Sequence, residues 1–309
     1  MAENYGLPYT GSKSRIAHWV IDNLPSGRVL IDAFAGGCAI THRALLSQKW
    51  QTIIANDING KYPQLFFDAI HGRYRDERRW ISREDFERLK SQDAFVACCW
   101  SFGNNLQGYM YSQAIEPYKR ALHYAIVFND FEPMQELMPE VAQAVHEAIH
   151  WIRNTHDRRI TAQNVIVKTL KRLTGDNYAH QIIQSNPLYQ SIRHSNKDAH
   201  RLESLERLER LRITSLSYNK IDIQDDAVVY CDPPYHASDN SLYEGTAKAF
   251  DHCAFYDWCV RVSRTNPIFI SEYSIEDERF EIVAEKQKTT CLSSVKSSNV
   301  TERLYTVKK

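Results

Sequence analysis

Four consecutive residues, Asp232, Pro233, Pro234 and Tyr235, follow directly on the strand-favouring run Val228-Val229-Tyr230-Cys231. Neither proline can donate to a sheet ladder, so the run must end there as the carboxyl end of a strand. Pro234 also drives Pro233 toward extended backbone, which leaves carbonyl groups exposed beside the acid. An aspartate and a neighbouring carbonyl can accept both hydrogens of an exocyclic amino group, while an aromatic ring stacks on the flat base that bears it. Such a nitrogen is a poor nucleophile because its lone pair is delocalised into the ring. Two directed acceptors favour the pyramidal nitrogen and free the lone pair for attack, which is stabilisation specific to the transition state. A base inside a duplex reaches such a loop only by extrusion, with Tyr235 replacing its lost stacking. The bland alternative is a strand-terminating turn with an incidental tyrosine.

A second constellation stands near the N-terminus. The segment LIDAFAGGCAI places Asp32, Phe34, Gly36 and Gly37 where a strand turns into a helix. Ligands of open parallel sheets bind outside the carboxyl ends of the strands, and glycine there permits close approach to the backbone. Asp57, at the end of the next strand, lies 21 positions after Gly36, a spacing at which an acid reaches ribose hydroxyls. The pattern is not G-x-G-x-x-G, so a pyrophosphate cradle is not supported. An adenosine cofactor without phosphate, such as S-adenosyl-L-methionine, fits it; glycines standing alone would read only as a tight turn.

The elements that must position these residues alternate. SKSRIAHWVIDNLP, CAITHRALLSQ and KYPQLFFDAIHG carry helical periodicity, and RVLIDAF and QTIIAND read as strands between them. Helix and strand in alternation predict crossover units and a mainly parallel sheet of an α/β fold. Strands return at RITSLSY, AVVYC, NPIFISEY, FEIVAEKQKTTCL and TERLYTV, with a helix at FDHCAFYDWCVRVSR, and the last two long strands predict a C-terminal antiparallel hairpin. Between them the rhythm is helical, in SREDFERLKSQDAFVACCW, FEPMQELMPEVAQAVHEAIHWIRN and TAQNVIVKTLKRL; a charged helix, AHRLESLERLERL, precedes the returning strands. The expected organisation is a catalytic domain of residues 1–70 and 201–309 with a mostly helical insertion at 71–200.

Composition narrows the partners. The start of the chain has no signal pattern and no run of eighteen apolar residues occurs, so a soluble, intracellular protein is expected. Seven cysteines form no C-x-x-C pair and the histidines are scattered, which predicts reduced buried thiols and no metal. The 38 Lys and Arg balance 38 Asp and Glu, so any nucleic-acid binding is focused rather than indiscriminate. Between His150 and Arg201, nine Lys or Arg (among them Arg158, Arg159, Lys168, Lys171 and Arg172) face three acids. That stretch suits either a phosphate backbone or a solvated helix surface.

The ordered set YTGSK, DAFAGG, AND, SLSYNKID and YCDPPY resembles the Dam-type adenine-specific (N6) DNA methyltransferases over nearly the whole chain, with a weaker likeness of WSFGNNLQGYMY to their DNA-contacting segment. The resemblance implies a Rossmann-like S-adenosylmethionine-dependent methyltransferase fold whose helical insertion recognises the DNA target. It places Tyr9, Lys13, Asp32, Phe34, Gly36, Asp57 and Asp232 at the cofactor and Asp232, Pro233, Pro234 and Tyr235 at the target adenine. Asn104, Asn105, Tyr109 and Tyr111, with Arg158, Arg159, Lys168, Lys171 and Arg172, fall on the DNA, while Trp100 and Phe102 anchor their loop in the core. Cys38 departs from a pattern that often has glycine. His236 to Phe250 is the expected lid, and Ser271, Glu272 and Tyr273 would shape the adenine pocket. The expected activity is methyl transfer from S-adenosyl-L-methionine, without metal, to adenine N6 in double-stranded DNA by base flipping and direct in-line attack. The setting would be a bacterial or phage-encoded cytoplasmic enzyme, monomer or weak dimer, in genome marking, restriction-modification or phage defence. RNA adenine methylation and a catalytically silent DNA-binding scaffold are the alternatives; Asp rather than Asn at 232 favours DNA adenine.

Overall fold

Apolar residues at consecutive positions mark strands buried on both faces, the signature of a parallel sheet covered by helices. In the computed structural model, which describes residues 5–9, 11–74, 76–174, 208–235, 250–293 and 296–309, this holds for β1 (Gly27–Asp32), whose last four residues are buried, and for β4 (Val228–Cys231) and β5 (Ile268–Glu272), buried throughout. With β2 (Trp50–Asn56), β3 (Leu211–Thr214), β6 (Phe280–Ser293) and β7 (Lys296–Val307) they form one seven-stranded sheet in the order β3-β2-β1-β4-β5-β7-β6. The first five strands in that order run parallel, and β7 is antiparallel to both β5 and β6. A mostly parallel sheet closed by an antiparallel hairpin is the architecture expected from the alternating pattern. Registers are level at the carboxyl edge, with Asp32 opposite Ala55 on one side and Tyr230 on the other.

Contacts divide the chain into two units, Met1–Arg75 with Ser191–Lys309, and Asp76–Gln190. In the first, Val29 and Ile31 of β1 join Val229, Cys231 and Ile270 in a core with Phe255, Trp258 and Cys259 of α10 (His252–Val262). Asp251 caps that helix, accepting from Ala254 N at 2.9 Å. Before β1, α1 (Ala17–Asn23) stops at the Leu24-Pro25 step, where Leu24 is extended, and Lys49 Nζ closes its end by donating to the Ile21 and Leu24 carbonyls at 2.7 and 2.6 Å. Two further helices, α2 (Ala39–Ser47) and α3 (Lys61–Ile70), follow β1 and β2 in the crossover pattern.

The described elements of the second unit are helical. The helical stretch SREDFERLKSQDAFVACCW comprises two helices, α4 (Arg83–Leu89) and α5 (Ala94–Trp100), because Asp93 accepts from Phe95 N and Val96 N and starts a new helix. FEPMQELMPEVAQAVHEAI is likewise split into α7 (Glu132–Leu137) and α8 (Pro139–Ile149), since Pro139 bars its predecessor Met138 from helical backbone. Before them in sequence lies α6 (Glu116–His123), which runs into a π-helical turn at Tyr124–Phe128; with the long α9 (Thr155–Thr174) these helices bury Ala125, Ile126, Met134, Val145 and Ile166. Of the leucine-rich 199–211 stretch and the expected lid at 236–250, residues 199–207 and 236–249 lie outside the described residues.

An N-terminal strap crosses the turn that follows β1. Gly6 N donates to His42 Nδ1 at 3.0 Å and Leu7 N to the Gly37 carbonyl at 2.7 Å. Gly6 has φ +71° and its missing Cβ would stand 2.3 Å from the Gly37 oxygen. The position therefore admits no side chain without moving the strap. Gly6→Ala should destabilise the fold by ~2 kcal/mol or more, combining left-handed backbone strain with displacement of the strap; chemical denaturation against the parent chain measures it.

Candidate active site at the carboxyl edge of the sheet

Neighbouring strands β1 and β4 carry Asp32 and Asp232 to the same edge, β2 delivers Asp57, and the returning strand β7 brings Glu302, which precedes the Arg303 paired with Glu272. Between β1 and β4 the chain's connections change direction, and this is where open α/β sheets bind ligands. Sequence spacing thus translates into proximity for Asp32, Asp57, Asp232 and Tyr235.

The turn after β1 is built by the protein's own side chains. Gly36 has φ +46°, and a Cβ on Gly37 would meet Tyr9 Cβ at 2.7 Å. The close approach that the adjacent glycines permit is thus made by Tyr9, whose ring also lies edge-on to Tyr62 at 5.1 Å. Cys38 takes the left-handed conformation, φ 60°, that glycine would adopt most easily, and it starts α2 with its thiol buried. Asp57 accepts from Gly36 N at 2.9 Å and from Asn59 N at 2.8 Å, so the acid expected to meet a ribose also clamps the glycine turn. Burial raises its carboxyl above the ordinary range. Phe34 stacks on Tyr218, with ring centres 5.7 Å apart, and meets Phe255 edge-on at 5.6 Å, which sets it in an aromatic group with part of SLSYNKID.

Asp32 is 1% exposed, with Oδ2 accepting from Thr41 N at 3.2 Å and Thr41 Oγ1 at 2.7 Å. Its Oδ1 is buried with no hydrogen-bond partner among the described residues. Burial, offset by the Thr41 hydroxyl and reinforced by the negative charge of Asp232, pushes its pKa up to about 7. An unmatched carboxylate oxygen of this kind suits a cationic donor.

Around Asp232 the groups interlock. Lys13 Nζ lies 2.7 Å from Asp232 Oδ1 and 3.7 Å from Glu302 Oε1, and also 4.5 Å from the centre of the Tyr235 ring. The Tyr235 hydroxyl donates to Glu302 Oε1, and its ring meets Tyr273 edge-on at 4.6 Å. Burial first, then the charges of Asp232 and Glu302, hold the Tyr235 phenol well above its usual range, so it remains a neutral donor. Behind it, Tyr230 and Ser271 share a hydrogen bond of 2.8 Å. Glu302 was not singled out from the sequence. Its signal is an acid at the inward phase of a strand, two positions before the fully buried Leu304.

The second unit sorts its expected DNA contacts. Tyr109 and Tyr111 are buried: the Tyr109 hydroxyl donates to the Ile81 carbonyl at 2.7 Å, and Tyr111 stacks on Trp80 at 5.8 Å. Asn105 Oδ1 accepts from Gln107 N and Gly108 N, both at 3.0 Å, and so shapes the loop. Asn104 is half-buried at φ 56°. Trp100 is fully buried as expected, but Phe102 is 68% exposed, because Gly103 and Asn104 both adopt left-handed backbone and turn the loop tip outward. Arg158 is buried, donating to Asn129 Oδ1 at 2.7 Å and to the Ala125 carbonyl at 3.1 Å, where it satisfies the π-helical turn. Arg159 is half-buried and Lys168 exposed; the side chains of Lys171 and Arg172 lie outside the described part of α9.

Residues 9–145 match the model of the D12 class N6 adenine-specific DNA methyltransferase family. The matched span is less than half of the chain. The match indicates an adenine-specific DNA methyltransferase, a family that acts on DNA and uses S-adenosylmethionine. No curated protein matched the chain. The matched span holds Tyr9, Lys13, Asp32, Phe34, Gly36 and Asp57; Asp232 to Tyr235 and Glu302 of the methyltransferase lie beyond it. Among the described residues there is no group of three or more potential metal ligands, and no helix long and apolar enough to cross a membrane.

The high pKa of Asp32 fixes a sign. Its folded-state value of about 7 exceeds the ordinary 3.8, so between these limits the folded methyltransferase holds more protons than the unfolded chain. Stability from this group is full below about pH 4 and is lost as pH rises through about 7, by on the order of 2–4 kcal/mol. Asp32→Asn should remove that part of the slope, read as the difference between parent and variant unfolding free energies over this range.

Proposed function

We propose that this methyltransferase transfers a methyl group to the N6 amino nitrogen of an adenine flipped out of double-stranded DNA, by direct attack with no covalent enzyme intermediate. The observation that carries the reading is the Asp232-Pro233-Pro234-Tyr235 loop at the end of β4, beside Asp32 on β1, in a chain whose residues 9–145 match the adenine-specific family. Asp232 and the Pro233 carbonyl accept the two amino hydrogens, and Tyr235 stacks on the base. Holding the nitrogen between two acceptors frees its lone pair in the transition state more than in the ground state.

Bound S-adenosyl-L-methionine supplies an electrophilic methyl group on a sulfonium. The residues fit it: the unmatched Oδ1 of Asp32 suits its ammonium, Asp57 its ribose, and Phe34 and the Gly36 turn its amino-acid end, with Tyr9 and Lys13 closing over from the N-terminus. Burial pushes the thiols of Cys38 and Cys231 well above their usual range, so neither supplies a thiolate nucleophile, in keeping with direct transfer. We assign DNA recognition to the Asp76–Gln190 unit, residues 71–200 in the sequence reading. Within it, Asn104, Phe102 and Lys168 keep solvent-facing surface, whereas Tyr109, Tyr111 and Arg158 act by holding the fold.

Purified protein incubated with labelled S-adenosylmethionine and mixed-sequence duplex DNA should yield label in N6-methyladenine on nucleoside analysis. Asp232→Ala should fold normally yet lower transfer by ~10³-fold or more; retained transfer, or label in an RNA duplex alone, would overturn the reading.

A further inference from the structure

We propose that Glu302 is a positioning residue for this reaction: it holds the Tyr235 ring through its hydroxyl and takes over the Lys13 ammonium when a target amino group occupies Asp232. This rests on the roles of Asp232 and Tyr235 given above. Glu302 sits on β7, remote in sequence from both motifs, and is fully buried. A buried carboxylate is costly unless paired. Its Oε1 is engaged twice, by the Tyr235 hydroxyl and by Lys13 Nζ at 3.7 Å.

Stacking on a base needs only the ring face of Tyr235. A hydroxyl bonded to a buried acid is a further constraint, one that anchors the far end of the ring and so fixes where the side chain lies. The ammonium of Lys13 poses a separate difficulty. At 2.7 Å from Asp232 Oδ1 and 4.5 Å from the Tyr235 ring centre, it uses both the acceptor and the stacking face that the adenine requires. An ammonium and an amino group cannot both hold that acceptor at full strength. Closing the distance to Glu302 from 3.7 Å to ordinary hydrogen-bond length needs a movement of only about 1 Å. The lysine then keeps a carboxylate partner without leaving the site, and Asp232 remains an ionised acceptor, the stronger kind.

Two substitutions separate the halves. Glu302→Gln keeps the shape and an oxygen for the Tyr235 hydroxyl but cannot hold a cation, whereas Tyr235→Phe keeps the ring and loses the hydroxyl. Initial rates on duplex DNA should show kcat/KM for DNA falling ~10-fold or more in Glu302→Gln, with S-adenosylmethionine affinity, measured by calorimetry, within about twofold of the parent. Glu302→Asp, which restores the charge, should recover part of the loss. In a Lys13→Met background, which has no ammonium to accommodate, Glu302→Gln should cost little further. Unchanged DNA kinetics in a folded Glu302→Gln variant, or the same fold-loss with and without Lys13, would overturn the inference. If the parent chain itself transfers no label to adenine, it is the proposed function that fails; if the parent transfers and Glu302→Gln equals it, only the role of Glu302 does.

Discussion

The pairing of one buried ammonium with two carboxylates governs this site. Asp32, Asp57, Asp232 and Glu302 all arrive at the carboxyl edge of one sheet, and Lys13 binds the latter two at 2.7 and 3.7 Å. Like charges brought together out of water raise one another's pKa values, and that of Asp32 is driven to about 7 by its burial, with Asp232 and Asp57 adding to the effect. Lys13 sets a positive charge directly against Asp232 at this crowded edge.

The sheet topology is what makes this concentration of acids unavoidable. Parallel strands deliver their carboxyl ends to one side, and the register of β2, β1 and β4 brings Asp57 and Asp232 there, each two positions beyond the partner of Asp32. An antiparallel β7 beside β5 adds to the same side a residue from the beginning of its own pairing, and that residue is Glu302. The N-terminal strap then has to pass over this edge to supply Lys13, which is why Gly6 and Gly37 leave no room for side chains beneath it. Backbone permissiveness at two glycines and the charge balance of the site are thus one requirement.

Much of this was legible in the sequence because it is local. The strand ending at Cys231, the stop imposed by Pro233 and Pro234, and the glycine turn after β1 each follow from a few adjacent residues, and the alternation of helix and strand fixed a mostly parallel sheet with a final hairpin. What was hidden is non-local. Glu302 meets Tyr235 across 67 positions, and only the β5–β7 pairing brings it there. The outward turn of Phe102 goes with left-handed backbone at Gly103 and Asn104, residue types that tolerate that conformation without requiring it. Arg158 read as a phosphate contact by charge alone; its burial against the π-helical turn comes from packing between α9 and the segment after α6, which charge counting cannot see.

An enzyme that binds a polyanion at an edge lined by carboxyls faces repulsion there, and the net balance of 38 basic and 38 acidic residues does not remove it. Two features of the edge itself lower its charge: Asp32 titrates near neutrality, and Asp232 is matched by Lys13. On the proposed function, the attraction for the phosphate backbone comes from elsewhere in the chain; the stretch between His150 and Arg201 has an excess of basic residues in sequence, of which Arg158 is buried in the fold. Separating attraction from chemistry in this way has a physical advantage. On the proposed mechanism, a cation strong enough to hold phosphates, placed beside Asp232, would compete permanently for the acceptor assigned to the adenine amino group, whereas Lys13 has a second carboxylate within about 1 Å of hydrogen-bonding distance.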